Sequence, residues 1–495
     1  MTARLVHTMK STLSPDDAHP YRSGAWRPQT REWDARPELV FGRIPEDLDG
    51  IYLRNTENPL HPPIERYHPF DGDGLVHMIE FRDGAAAYRN RFVRTDGLRA
   101  EQDEGRSLWA GILEMPADSI REDGWGIRGR MKDASSTDIT VFRGEALSTF
   151  YFCGDVYRLA LATGETLGKA DFDGRFPSWG VSAHPKVDPA TGELLFFSYS
   201  KDEPFLRYGS LDAQGRFQRE VDVPLPGPRL PHDMAFTENF VVLNDFPLYW
   251  KADLLAMGAH VPTFDRSLPS RFALVHRHDP TAPIRWFEAA PTYVLHFTNA
   301  YEVGHEVVLE GFFQGRPRPS TKGAQSIEEA AFRSLALDQL ETRLHRWRFD
   351  LRTGETREER LSERFTEFGR INPRYQSRPN RFVYAPTGEA GKFLFNGLVK
   401  HDLQSGREES LSLGDGVYAS ETVMVPRANG SREDDGYLVT FTMDLNDDAS
   451  YCLVLDAERP SGEPVCKLRL PERISSGTHA TWASRSEMGG ASMLG

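Results

Sequence analysis

Val156-Tyr-Arg-Leu-Ala-Leu-Ala-Thr-Gly164-Glu165 reads as a half-apolar strand that ends in polar residues, turns on a glycine and continues as a second, more polar strand. The pattern returns along nearly the whole chain. Earlier and later copies are His77-Met-Ile-Glu-Phe-Arg-Asp-Gly84, Leu206-Arg-Tyr-Gly-Ser-Leu-Asp-Ala-Gln-Gly215 and Leu274-Val-His-Arg-His-Asp-Pro-Thr281. Three more are Leu344-His-Arg-Trp-Arg-Phe-Asp-Leu-Arg-Thr-Gly354-Glu355, Leu398-Val-Lys-His-Asp-Leu-Gln-Ser-Gly406 and Cys452-Leu-Val-Leu-Asp-Ala-Glu-Arg-Pro-Ser-Gly462-Glu463. Turns separated by roughly 50 to 80 residues match the period of four-stranded propeller blades. Unrelated hairpins in a sandwich would also carry glycine turns, but a sustained period favours one architecture. The expected fold is all-β, a seven-bladed β-propeller with a loop and short-helix cap over an axial site.

Its 495 residues, 39% hydrophobic with 33 prolines and 42 glycines, suit a turn-rich globular protein with a sizeable core. A formal charge of −14 and the lack of a basic stripe argue against a nucleic-acid partner. Cys153, Cys452 and Cys466 form no CxxC pair, so neither a disulfide framework nor a zinc ribbon is expected and a reducing cytoplasm fits. Met1 to Pro15 lacks an apolar leader core, and no window offers the ~20 apolar residues of a spanning helix. We expect an extension over 1–34, the propeller over 35–483 with cap insertions near 107–132 and 315–342, and a flexible tail over 484–495. Ser326 to Leu340, with Ile327, Phe332, Leu335 and Leu340 loosely spaced, is the best helical stretch. In the first insertion Leu108, Trp109, Ile112, Leu113 and Met115, with Trp125 and Ile127 further on, form either an apolar lip for peripheral membrane contact or a packed lid.

Repeat position singles out four of the 15 histidines. His184 lies 20 residues after Gly164, His232 17 after Gly215, His296 15 after Thr281 and His479 17 after Gly462. Each begins the strand after a repeat hairpin, which in a propeller is the innermost strand of the next blade, so the four should converge on the axis. At the same phase the other blades carry Glu367, Glu421 and, in the pair Thr137-Asp138, a threonine and an aspartate. Imidazoles bind iron, copper, zinc or nickel, and four neutral ones leave positions for dioxygen on a metal that takes six ligands. Glu367 and Glu421 suit the carboxylates that accept a ligand histidine's second N–H. His276, His278, His305, His345 and His401, off this phase, read as solvated.

Together with Gly50-Ile-Tyr-Leu-Arg-Asn-Thr56, Phe70-Asp-Gly-Asp-Gly74, Ala183-His-Pro-Lys-Val-Asp-Pro189, Pro231-His-Asp233 and His296-Phe-Thr-Asn-Ala-Tyr301, these residues resemble the carotenoid cleavage oxygenase family. The resemblance continues through Glu367-Phe-Gly-Arg-Ile-Asn-Pro373, Ser420-Glu-Thr-Val-Met-Val-Pro426, Asp434-Asp-Gly-Tyr-Leu438 and Gly477-Thr-His-Ala-Thr-Trp482. It implies iron(II) held by His184, His232, His296 and His479, with Glu367 and Glu421 as outer carboxylates. Thr137 then corresponds to the family threonine that crowds the open iron position. The implied reaction splits a C=C bond of an extended apolar alkene with dioxygen into two carbonyl products. An apocarotenoid is the expected substrate; a stilbene or phenylpropenoid is the alternative, with isomerisation or a non-enzymatic binding platform behind them.

Two departures stand out. Family members usually carry a third glutamate before a glycine-containing turn, where this chain has Phe150-Tyr-Phe-Cys-Gly154, so one histidine is expected to be oriented by water or a backbone carbonyl. Stilbene cleavers that grip a phenol use a lysine in that window and a tyrosine upstream; here Ile112 stands about where the tyrosine would be.

Overall fold

The computed structural model describes residues 1–122, 131–256, 262–318, 324, 326, 329–331 and 334–494. Among them the strands gather into seven blades around one axis. Blade 2 shows the rule: Asp138–Phe142, Glu145–Thr149, Tyr157–Ala160 and Thr166–Lys169 pair antiparallel in chain order. Blades 3, 4 and 5 repeat it, beginning with Lys186–Val187, Ala235–Phe236 and Phe297–Val303. In blade 6 the inner strand is reduced to the bridges Thr366 to Thr387 and Arg370 to Tyr384 beside Phe382–Gly388. Blade 7 begins with Val423–Pro426, and Val417–Ala419 joins it to blade 6.

The seven expected turns each lie between the third and fourth strands of a blade. Gly164, Gly215, Gly354 and Gly406 take φ between +70° and +80° there, a conformation open to glycine at little cost. Strands such as Leu194–Tyr199 are buried on both faces, and their apolar side chains pack between neighbouring blades.

Two N-terminal strands close the ring. The C-terminal strand Ala480–Ser484 is innermost in blade 1 and pairs with Gly50–Arg54, while Glu38–Gly42 adds to Cys466–Arg469 at the outer edge of blade 7. Both expected boundaries therefore move. Within 1–34, Thr2–Thr8 pairs with Arg31–Arg36, which joins Ala85–Phe92, so both ends of that segment belong to blade 1. The expected flexible tail is packed: Met488 is fully buried, and Ser492 and Met493 hydrogen-bond to Glu80.

Of the expected helix at Ser326 to Leu340, 329–331 is helical and Leu337–Leu340 forms a short helix; Ile327 and Phe332 lie outside the described residues. Leu108 and Trp109 are buried and Ile112, Leu113 and Met115 half-buried. Trp125 and Ile127 lie outside the described residues. Among the described residues no helix is long and apolar enough to cross a membrane.

Candidate metal centre

A propeller brings the start of every inner strand to the axis, and the sequence puts one polar residue at or just before each of those seven starts. In ring order from blade 2 they are Asp138, His184, His232, His296, Glu367, Glu421 and His479. All are buried. One ring nitrogen from each of the four histidines lies within 4.8 Å of the others. The Nε2 atoms of His184 and His232, and of His232 and His296, are 3.2 Å apart. Imidazole–metal bonds of about 2.1 Å meeting at about 90–110° would set neighbouring nitrogens about 3.0–3.4 Å apart.

Burial, reinforced by the neighbouring imidazoles, pushes His184 and His296 well below the usual histidine range. Burial likewise holds His232 at about 3. Neutral imidazoles keep their lone pairs for a cation, so the donor set fits a transition metal such as iron.

The opposite nitrogens meet carboxylates. His296 Nδ1 lies 2.6 Å from Glu367 Oε2, which also accepts the Phe368 N–H. His479 Nδ1 lies 3.4 Å from Glu421 Oε2, and that carboxylate accepts the Ala480 N–H at 2.6 Å and is gripped by Arg370 at 2.8 Å. Burial alone would raise Glu421, yet Arg370 and His479 hold it at about 2. Glu367 has no such cation, and burial raises it well above the carboxylate range.

His184 Nδ1 lies 2.9 Å from Asp138 Oδ2. This carboxylate comes from the aspartate beside Thr137, and among the described residues His232 is the one histidine of the four that faces no carboxylate. His232 Nδ1 is buried without a hydrogen-bond partner, and the Tyr151 ring packs edge-on to it at 5.5 Å. Thr137 is buried at the same rim, its hydroxyl accepting the Tyr151 N–H at 3.0 Å and its carbonyl accepting from Thr478 at 3.4 Å.

Above the histidines runs an arc of rings. Trp250, Phe152, Tyr151, Phe70, Phe393 and Phe368 follow one another with centroid spacings of 6.4, 4.2, 5.8, 5.9 and 6.3 Å. Phe368 closes the arc against His296 at 4.5 Å and His479 at 5.0 Å. A polar cavity of about 220 Å³, lined by His184, His296, His479, Asp138, Glu421 and Arg370 among others, adjoins the same centre.

The structure brings together the four histidines and both glutamates that the repeat phase singled out, with Asp138, which the phase marked without giving it a task. Arg370 and Phe368 were missed. Each neighbours a motif residue in sequence, but neither falls on the phase that marked the others. His401, expected to be solvated, is buried and paired with Glu408 at 3.1 Å.

Fold and site together define a propeller oxygenase whose four axial histidines could hold a metal ion. The retinal pigment epithelial membrane protein (RPE65) family model matches residues 26–484, and the chain belongs to that family, the carotenoid-cleavage-dioxygenase-like non-haem iron oxygenases. It is 31% identical to carotenoid 9,10(9',10')-cleavage dioxygenase 1 of Pisum sativum, over 95% of this chain and 91% of that one. Among solved structures, lignostilbene dioxygenase of Pseudomonas brassicacearum superposes with a TM-score of 0.83 at 27% identity, over 95% of this chain and 100% of that one. Cobalt-substituted apocarotenoid oxygenase of Synechocystis gives 0.81 at 28% identity, over 92% and 97%.

Proposed function

We propose that the chain binds iron(II) through His184, His232, His296 and His479 and cleaves an internal C=C bond of an apocarotenoid with dioxygen. The observation that carries this is four buried imidazoles converging beside a continuous aromatic arc. Bound iron(II) supplies the open positions at which dioxygen is activated beside the alkene.

The protein's own residues do the rest. Tyr151, Phe70, Phe393 and Phe368 hold an extended apolar chain across the metal and keep water away, which lowers the entropic cost of alignment. Glu367 and Glu421 fix the tautomers of His296 and His479 so that Nε2 faces the centre. Thr137 crowds the open side and limits the approach of oxygen and alkene. An apocarotenoid is favoured over a stilbene because the phenol-gripping positions are Phe150, Tyr151, Phe152 and Ile112.

Rates on a panel of apocarotenals and hydroxylated stilbenes decide the substrate class. The apocarotenals should give kcat/KM at least about tenfold higher, a difference of about 1.4 kcal/mol in transition-state binding. Preference for the stilbenes would reverse the assignment and leave the metal centre untouched.

A further inference from the structure

We infer that Asp138 is a positioning residue that holds His184 toward the metal, and that His232 is the one ligand without a carboxylate partner. This rests on the proposed four-histidine metal site. Each carboxylate of the ring faces the histidine of an adjoining blade: Asp138 to His184, Glu367 to His296, and Glu421 to His479. Seven inner strands carry three such pairs and leave one place over, which His232 fills with its Nδ1 unpartnered.

Asp138 is held ready for this task. Its Oδ1 accepts the Ile139 N–H at 2.7 Å, which turns Oδ2 to His184, and its carbonyl accepts from Asn55 Nδ2 at 3.2 Å. Side chains two apart on a strand share a face. Thr140 accordingly reaches the same segment, donating to the Pro185 carbonyl at 3.2 Å. His184 itself sits at φ +64°, a conformation that costs a non-glycine residue on the order of 1–3 kcal/mol and persists only where its surroundings impose it. The Asp138 contact is one such constraint. A residue that merely began its strand would need neither the carboxylate nor its aim at Nδ1.

The test uses cobalt(II) titration of metal-free protein, read by visible d–d bands, for wild type, Asp138→Asn and Asp138→Glu. Asp138→Asn should bind cobalt about 10- to 100-fold more weakly with shifted bands, while the melting temperature of the metal-free protein stays near wild type. Asp138→Glu should recover part of the affinity. A variant-free measurement uses 15N-histidine spectra of zinc-loaded wild type, which should show three hydrogen-bonded Nδ1–H groups and one without a partner. Wild-type affinity and spectrum in Asp138→Asn, or two unpartnered groups in the zinc form, would overturn the role of Asp138 alone. Failure of the wild type to bind either metal would overturn the metal site along with it.

Discussion

A buried imidazole serves as a ligand only when its proton sits on the nitrogen facing away from the metal, so each histidine's partner matters as much as the histidine. Replacing His184, His232, His296 or His479 by alanine should abolish stoichiometric iron, measured on protein loaded without oxygen; full iron in any variant removes that residue from the ligand set. Outer carboxylates typically contribute 10- to 100-fold in metal affinity or activity. Glu367→Gln should lose on that order in chelator competition while folding normally, and an unchanged affinity would show that the 2.6 Å contact to His296 orients nothing. The histidines were legible because the repeat supplied a phase. The partner of His184 was not, since it depends on which carboxylate the neighbouring blade turns inward.

Edges of blade 1 depend on contacts that no short-range pattern reveals. Asp34 joins the first two strands to the blade by accepting from Arg4, Arg89 and Arg91 at 2.6 Å each. Burial alone would raise its carboxyl, but the three arginines hold it at about 2 against an ordinary 3.8. A depressed carboxyl stabilises the fold above its unfolded value and loses that contribution as pH falls toward the folded value. Asp34→Asn should therefore lower unfolding stability at pH 7, with the gap to wild type narrowing between pH 5 and pH 3; a gap independent of pH would deny the ion pairs their role. At the other terminus Met488 fills space beside Leu53 and Ile139. Met488→Ala should cost about 2–5 kcal/mol in denaturant unfolding, as large-to-small core changes do, whereas a loose tail would give no change. Thr2–Thr8 has every side chain exposed, so alternation could not reveal it as a strand, and Met488 stands alone among polar residues.

Across the whole molecule, seven turns, six of them on glycine, were enough to read seven blades, because a turn and its flanking strands are local in sequence. Ring closure was not readable, since Ala480–Ser484 and Gly50–Arg54 meet across more than four hundred residues and neither strand names its partner. That closure carries His479 to the other three ligands, so the site exists only in the finished ring. The most direct measurement is the mass of products from an apocarotenal incubated under 18O2 with iron-loaded protein. We predict two carbonyl fragments whose atoms sum to substrate plus two oxygens, at least one drawn from the labelled gas. An isomer of unchanged mass, or apocarotenal and stilbene both left intact despite stoichiometric iron, would contradict oxidative cleavage.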